Sequence, residues 1–298
     1  MTPAGPERST RIRPERSSPP RALALIPARL ASLRLPRKML LDETGLPLFV
    51  HTARNVARAR TLARVVVATD AEEIAAAARA HGVEAVMTRP EHPSGTDRIH
   101  EALLSLQAGD GDFDVVLNVQ GDEPELEPEV LDRLAAAFAD PAVELATLAG
   151  PLRSGAEADA PQVVKVVCDR RGDALYFSRS QVPHRPMVSG DSGDSGASGD
   201  TGGAARPRSY ARAGAPPWEA VARRHVGVYA FRPAALAEFC ALPPGPLERL
   251  ENLEQLRWLE AGRRIRVLDT DHVPLGIDTR ADYDAFVRRV RAGAASGR

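Results

Sequence analysis

Between Ala22 and Leu148 the sequence alternates repeatedly between a short apolar run and a segment with helical spacing, and this rhythm limits the possible folds more than any other feature. The runs Ala22–Ile26, Arg64–Asp70, Val83–Met87, Val115–Val119 and Glu144–Leu148 read as strands. Between them, Leu48–Arg60, Ala71–Ala80, Ile99–Leu106 and Pro128–Ala139 read as helices. Strands joined by helical crossovers run parallel and wind right-handed, so the fold class expected is α/β with a mostly parallel, doubly wound sheet. Ligands of such sheets bind beyond the carboxyl ends of the strands.

Past residue 150 the rhythm changes. Val163–Cys168 and Ala174–Arg179 flank a tight turn and suggest an antiparallel hairpin, and Arg224–Phe231 reads as a further strand carrying His225 and Tyr229 on one face. Pro246–Leu259 reads as one amphipathic helix with Leu250, Leu253, Leu256 and Leu259 on one side, which leaves Glu254 and Gln255 as surface residues. Ile265–Leu268 is a last strand, Gly276–Thr279 a turn and Ala281–Val290 a closing helix. Residues 1–21, rich in proline and charge, read as a disordered lead, and the Gly- and Ser-rich stretch at about 187–217 as a flexible insertion. Residues 22–298 then form a single domain.

The chemistry is expected in the polar loops that follow the strands. Val115–Val119 ends in Gln120-Gly121-Asp122-Glu123-Pro124, which places Asp122 either as a metal-binding carboxylate or in a plain Asp-Gly turn. The loop after the first strand holds Arg29, Arg34, Arg37 and Lys38, cations suited to a polyphosphate, although neither a Walker A spacing nor a G-x-G-x-x-G run is present. Thr88–Arg98 is rich in hydroxyls and suits a base or sugar; His92 within it reads as a structural histidine. Asp70 is expected to cap the helix that follows it, and Asp278 is either a neighbour of a helix cap or a second metal carboxylate.

Composition narrows the classes of function. A net charge of −1 provides no basic field for nucleic acid. Cys168 and Cys240 have no metal-ligand spacing and read as inert thiols. No apolar run approaches the roughly 20 residues needed to cross a bilayer, so a cytoplasmic location without membrane insertion is expected.

The blocks IPARLASLRLPRK, VVVATD, MTRPEHPSGTDR, VLNVQGDEP, VVKVV, ALYFSR, RHVGVYAFR, PLERLENLEQLRWLE and GIDT stand in one order across about residues 23–290. In this the chain resembles the 3-deoxy-manno-octulosonate cytidylyltransferases, also called CMP-Kdo synthetases. The resemblance implies a nucleotide-diphospho-sugar transferase-like domain with an antiparallel substrate and dimerisation lobe, a homodimer, and Mg²⁺ as cofactor. It implies transfer of CMP from CTP to 3-deoxy-D-manno-octulosonate (Kdo), with release of pyrophosphate, for lipopolysaccharide biosynthesis. Carried over by position, Arg29, Arg34, Lys38, Asp122 and Asp278 are the catalytic set, with Asp122 and Asp278 on the metal. Arg29, Ser32, Arg34, Lys38, Arg89, Ser94 and Gln120 face the nucleotide. Gln120, Arg179, His225, Tyr229, Glu254 and Gln255 face the sugar acid. Leu33 and Arg37 depart from the family pattern, which has threonine and glycine there. Rival readings are a cytidylyltransferase for sialic acid or an amino-Kdo, and a catalytically silent nucleotide-binding regulator.

Overall fold

The structure is a computed structural model, and it describes residues 20–32, 34–110, 112–184 and 218–296. The lead up to residue 19, Leu33 and the Gly- and Ser-rich insertion lie outside these residues. The first half contains β1 (Ala22–Ala28), α1 (Leu48–Val56), β2 (Leu62–Thr69), α2 (Glu72–Ala80), β3 (Glu84–Met87), α3 (Gly95–Asp110), β4 (Val115–Asn118), α4 (Pro128–Ala136) and β5 (Leu145–Pro151). There follow α5 (Gly155–Asp159), the hairpin strands β6 (Lys165–Cys168) and β7 (Ala174–Ser178), α6 (Trp218–Val221), β8 (Arg223–Phe231) and α7 (Pro233–Ala241). The chain closes with α8 (Pro246–Glu251), α9 (Leu256–Glu260), β9 (Arg266–Asp269) and α10 (Arg280–Ser296).

The strands form one mixed sheet in the order β3-β2-β1-β4-β8-β5-β9. Among the described residues, β1 to β4 pair in parallel and β9 pairs in parallel with β5, while β8 runs antiparallel between β4 and β5. This is the parallel sheet that the alternation predicts, with one reversed strand let into it. β1 is buried along its whole length because both of its faces are covered. Ala22, Ala24 and Ile26 join one core with Phe49, Val50, Ile74 and Leu131. Leu23 and Leu25 join the opposite core with Ile99, Leu103, Phe239 and Trp258.

Around β8 the sheet is split. β4 covers only Tyr229–Phe231 on one edge of β8, and β6 covers only Arg223 and Arg224 on that same edge. On the other edge the ladder slips, so that Thr147 faces Tyr229 and Leu148 faces Val226, leaving Gly227 and Val228 with no opposite residue on β5. The middle of β8 therefore floors an opening between the carboxyl end of β4 and the start of β6.

Two expectations fail for local reasons. Pro246–Leu259 is not one helix: Asn252 takes a left-handed conformation (φ 52°) that ends α8, and Leu250 is 83% exposed while Leu253 and Leu256 are buried. Asp70 is not a cap, because α2 starts from Ala71 without a side-chain cap and the Asp70 carboxylate instead pairs with the buried guanidinium of Arg98 at 2.7 Å.

Candidate active site

Asp122 leaves the end of β4 through Gly121, which lies beneath the turn that carries Lys38. A Cβ on Gly121 would stand 3.1 Å from Met39 Sδ and 3.3 Å from the side chain of Ile26, so a larger residue would crowd this turn. Asp278 arrives from the other end of the chain. Ile277 donates its backbone N–H to the Asp122 carbonyl at 3.0 Å, and its side chain packs with Leu35, Leu48, Tyr283 and Phe286 in a small separate core. Leu35 belongs to the basic loop, so one apolar cluster fixes both that loop and the segment carrying Asp278. Thr279 caps α10 together with Asp282, accepting a hydrogen bond from the Asp282 N–H, which leaves the Asp278 carboxylate to other partners.

The result is a cation between two carboxylates. Lys38 Nζ donates to Asp122 Oδ2 at 2.5 Å, to Asp278 Oδ1 at 3.1 Å and to the Ile277 carbonyl at 3.1 Å, and Arg34 reaches Asp278 at 2.9 Å. Burial works against the charged ammonium, but Asp122 and then Asp278 outweigh it and hold the Lys38 pKa above its ordinary value. The ammonium shows that the pair can gather a cation, and hard carboxylate oxygens are the donors that Mg²⁺ accepts. Among the described residues no group of three or more His, Cys, Asp or Glu side chains is arranged for a metal. Burial pushes the Cys168 thiol up to about 11 and Cys240 up to about 12, away from thiolate chemistry.

The four cations of the basic loop do not act as one group. Arg34 and Lys38 face the carboxylate pair. Arg29 lies on the α3 side, where burial and the neighbouring Arg98 lower its pKa against the pull of Asp70, Asp97 and Glu254. Arg37 points to Glu73 on α2, and its φ of 56° lies in the left-handed region that favours glycine. Ser32 sits in the same loop, half-buried.

Ser94 caps α3, accepting from the Asp97 N–H at 3.1 Å and donating to its carboxylate at 2.7 Å. Arg89 is mostly exposed and is tied to Glu101, which also takes His92. Two residues beyond Ser94, Thr96 donates to Glu254 Oε2 at 2.7 Å and accepts from Asn118 Nδ2 at 3.4 Å. This contact draws Glu254 partly inward once α8 has broken at Asn252, leaving its side chain 31% exposed, and Gln255 is buried beside it. Burial raises the pKa of Glu254. Gln255 Nε2 and Asn118 Oδ1 are enclosed without hydrogen-bond partners, as is Glu123 Oε2. The Glu123 carboxyl is pushed up to about 8 by burial, reinforced by Asp122 and opposed by Arg224. Unsatisfied buried polar atoms are costly, and each of these is left for a partner outside the described residues.

His225 and Tyr229 stand on the split strand with ring centroids 5.4 Å apart, beside Phe177. Burial depresses the His225 pKa to about 3 and, aided by Glu254, raises that of Tyr229. Gln120 follows β4, half-buried. Arg179 sits at the end of β7 and donates to the carbonyls of Glu251 (2.7 Å), Pro161 (3.1 Å) and Asn252 (3.2 Å) through Nε and its two terminal nitrogens in turn. A guanidinium carries five N–H bonds, so one remains on each terminal nitrogen. Buried Lys165 donates to the carbonyls of Val163, Ala160 and Arg179, anchoring the hairpin.

The structure therefore brings Lys38, Asp122 and Asp278 together and sets Glu254 against Thr96, and it adds Thr96, Asn118, Glu123, Thr147 and Lys165, which the sequence alone did not single out. Asn118 and Lys165 had a visible signal, since each is a polar residue inside an otherwise apolar strand run.

The sequence profile of a family described as "Cytidylyltransferase" matches residues 23–265. A protein of Nitrobacter hamburgensis named 3-deoxy-manno-octulosonate cytidylyltransferase is 46% identical over 276 residues, covering 91% of this chain and 93% of its own. A protein of the same name from Rhodopseudomonas palustris strain HaA2 is 47% identical over 278 residues, covering 92% and 99%. Among solved structures, that of a CMP:2-keto-3-deoxy-manno-octonic acid synthetase complexed with CTP superposes with a TM-score of 0.74 at 36% identity, covering 93% of this chain and 100% of that one.

Proposed function

The chain belongs to the 3-deoxy-manno-octulosonate cytidylyltransferase family, and we propose on that premise that it transfers CMP from CTP to Kdo and releases pyrophosphate. The observation that carries this reading is the convergence of Lys38, Asp122 and Asp278, brought together from opposite ends of the chain at the carboxyl edge of the sheet.

The chemistry needs little covalent help from the protein. The anomeric hydroxyl of the sugar, its proton passing to water, attacks the α-phosphate in line, and pyrophosphate departs with the electron pair of the broken P–O bond. Asp122 and Asp278 would hold Mg²⁺, which supplies Lewis acidity to the reacting phosphate and lowers the pKa of a bound hydroxyl. Lys38 and Arg34 neutralise charge that grows on the leaving group, and Arg29 meets the nucleotide from the α3 side. Ser94 and Arg89, at the entrance to α3, with Ser32 and Gln120, line the nucleotide side. Arg179 offers its two remaining N–H bonds as a fork for the sugar carboxylate, while Gln120, His225, Tyr229, Glu254 and Gln255 contact its hydroxyls. No side-chain base is required.

In this reading the protein works in the cytoplasm, in lipopolysaccharide biosynthesis, as a homodimer. No helix among the described residues is long and apolar enough to cross a membrane. Exposed Leu175, Leu247 and Leu250, on β7 and α8, support a subunit contact on the substrate lobe. Pyrophosphate release from CTP, followed with Kdo, an amino-Kdo and a sialic acid and with magnesium added or chelated, tests the proposal. Turnover fastest with Kdo and abolished by chelation is the expected result; turnover only with another sugar acid would reassign the substrate, and none with any would overturn the enzyme reading.

A further inference from the structure

We propose that Thr147 is a positioning residue that fixes the ring tautomer of His225, so that the histidine offers Nδ1 as a hydrogen-bond acceptor to a hydroxyl of the sugar acid. The identity of the ligand rests on the function proposed above; the tautomer rests on geometry alone.

Thr147 is fully buried in the middle of β5, at the point where the ladder with β8 slips. Its Oγ1 lies 2.8 Å from the Val228 carbonyl, 3.2 Å from the Val226 carbonyl and 3.0 Å from His225 Nε2. A hydroxyl has one proton to give, and both carbonyls can only accept. If the imidazole carried its proton on Nδ1, three lone pairs would crowd around that single proton and two of the three contacts would be repulsive. If the proton is on Nε2, the ring donates to Oγ1 and the hydroxyl donates to the Val228 carbonyl at 2.8 Å, so that only the longer contact to the Val226 carbonyl, at 3.2 Å, lacks a proton of its own. The slip itself supplies the second carbonyl: in a regular strand the carbonyls of Val226 and Val228 would share an edge but stand about 6.8 Å apart, at a rise of about 3.4 Å per residue, too far for one hydroxyl to reach both.

The other ring nitrogen then carries a lone pair. Among the described residues Nδ1 has no hydrogen-bond partner, which leaves it for a ligand entering the opening over the middle of β8. Phe177 and Tyr229 pack against the ring and fix its plane. An acceptor in this place attracts a hydroxyl and repels a carboxylate oxygen. The pocket is thereby polarised: the carboxylate of the sugar acid is directed to Arg179, and one of its hydroxyls to His225. A ligand with a carbonyl or no hydroxyl at that position loses the contact.

Two-bond ¹H–¹⁵N correlation spectra of the full chain labelled with ¹⁵N-histidine report the tautomer directly. The expected result is a His225 signal with Nε2 protonated and Nδ1 bare, unchanged when CTP is added and with Nδ1 shifted when Kdo is added as well. Thr147→Val should release the tautomer and raise the KM for Kdo about tenfold, the order expected for one hydrogen bond of about 1.4 kcal/mol, with the KM for CTP unchanged. Thr147→Ser should restore both. A wild-type spectrum with Nδ1 protonated overturns the proposal, and this outcome does not depend on whether the valine variant folds. An Nε2-protonated ring whose Nδ1 ignores Kdo in an enzyme that turns Kdo over overturns the ligand half. An enzyme that turns over no sugar acid overturns the function proposed above instead, and the spectrum still decides the tautomer.

Discussion

Arg37 and Lys38 are adjacent, both cationic, and have opposite relations to the site. Arg37 holds a left-handed backbone conformation and turns its guanidinium to Glu73, away from the carboxylates; Lys38 is buried between them. Arg37→Gly should therefore relax the backbone at the loss of one exposed ion pair, leaving the melting temperature equal or higher and the turnover number within about tenfold of wild type. Lys38→Ala should lower turnover by orders of magnitude and, in chelator, lower the melting temperature as well, since it leaves two neighbouring carboxylates without their shared cation. Asp122→Asn and Asp278→Asn should each cost orders of magnitude in turnover while the circular dichroism spectrum stays native; near-normal rates in either variant would remove it from the metal set. At this scale the sequence shows which residues bear charge but not where they point. Arg29 reads from the sequence as one of four cations in a single loop, yet its place beside Asp70 and Arg98 depends on a pairing across β1 and β2 that no local pattern reveals.

The element that departs most from its sequence pattern is the run from Pro246 to Leu259. Leucines at positions 250, 253, 256 and 259 have helical spacing, and a single helix would have left Glu254 and Gln255 outside. The break comes from competition: Asn252 tolerates the left-handed conformation, and Thr96 supplies an inward partner for Glu254. Asn252→Gly should be close to neutral, because glycine takes that conformation freely. Asn252→Val should cost about 1–2 kcal/mol, the usual penalty for a left-handed L-residue, and raise the KM for the sugar more than that for CTP; denaturant titration and kinetics on the two variants check both statements. An equal effect of glycine and valine would mean that the side chain of Asn252, and not its backbone conformation, sets the break. The strands were far more legible than this segment, because period-two and apolar-run patterns are local, whereas the break is decided by a contact 158 residues away.

For the molecule as a whole, buried histidines set the acid limit of stability. Burial holds the pKa of His225 at about 3, and that of His51 and His100 below the ordinary value. The unfolded chain takes up these protons near pH 6.5 and the folded one only at lower pH, so stability is complete above about 6.5 and is lost as pH falls toward 3. His225→Gln should flatten part of that acid limb in melting temperatures measured between pH 7 and 4; an unchanged slope would mean that the ring is protonated in the fold. The parallel half of the sheet was readable from the sequence because each crossover helix follows its strand directly. The place of β8 was not, since a reversed strand inserted between β4 and β5 is joined to them by long connections and its pairing is decided by shape.

Lys38 and Asp278 are 240 residues apart, and the contact between them is braced by Leu35 and Ile277 in one small core with α10. During synthesis the chain leaves the ribosome from its amino end, and segments pack as they emerge. The first four strands and their helices have their partners early, but the carboxylate pair is assembled only after α10 has been made. A prematurely terminated product would thus carry the basic loop and Asp122 without Asp278, so the order of translation itself holds back completion of the centre until the chain is nearly finished.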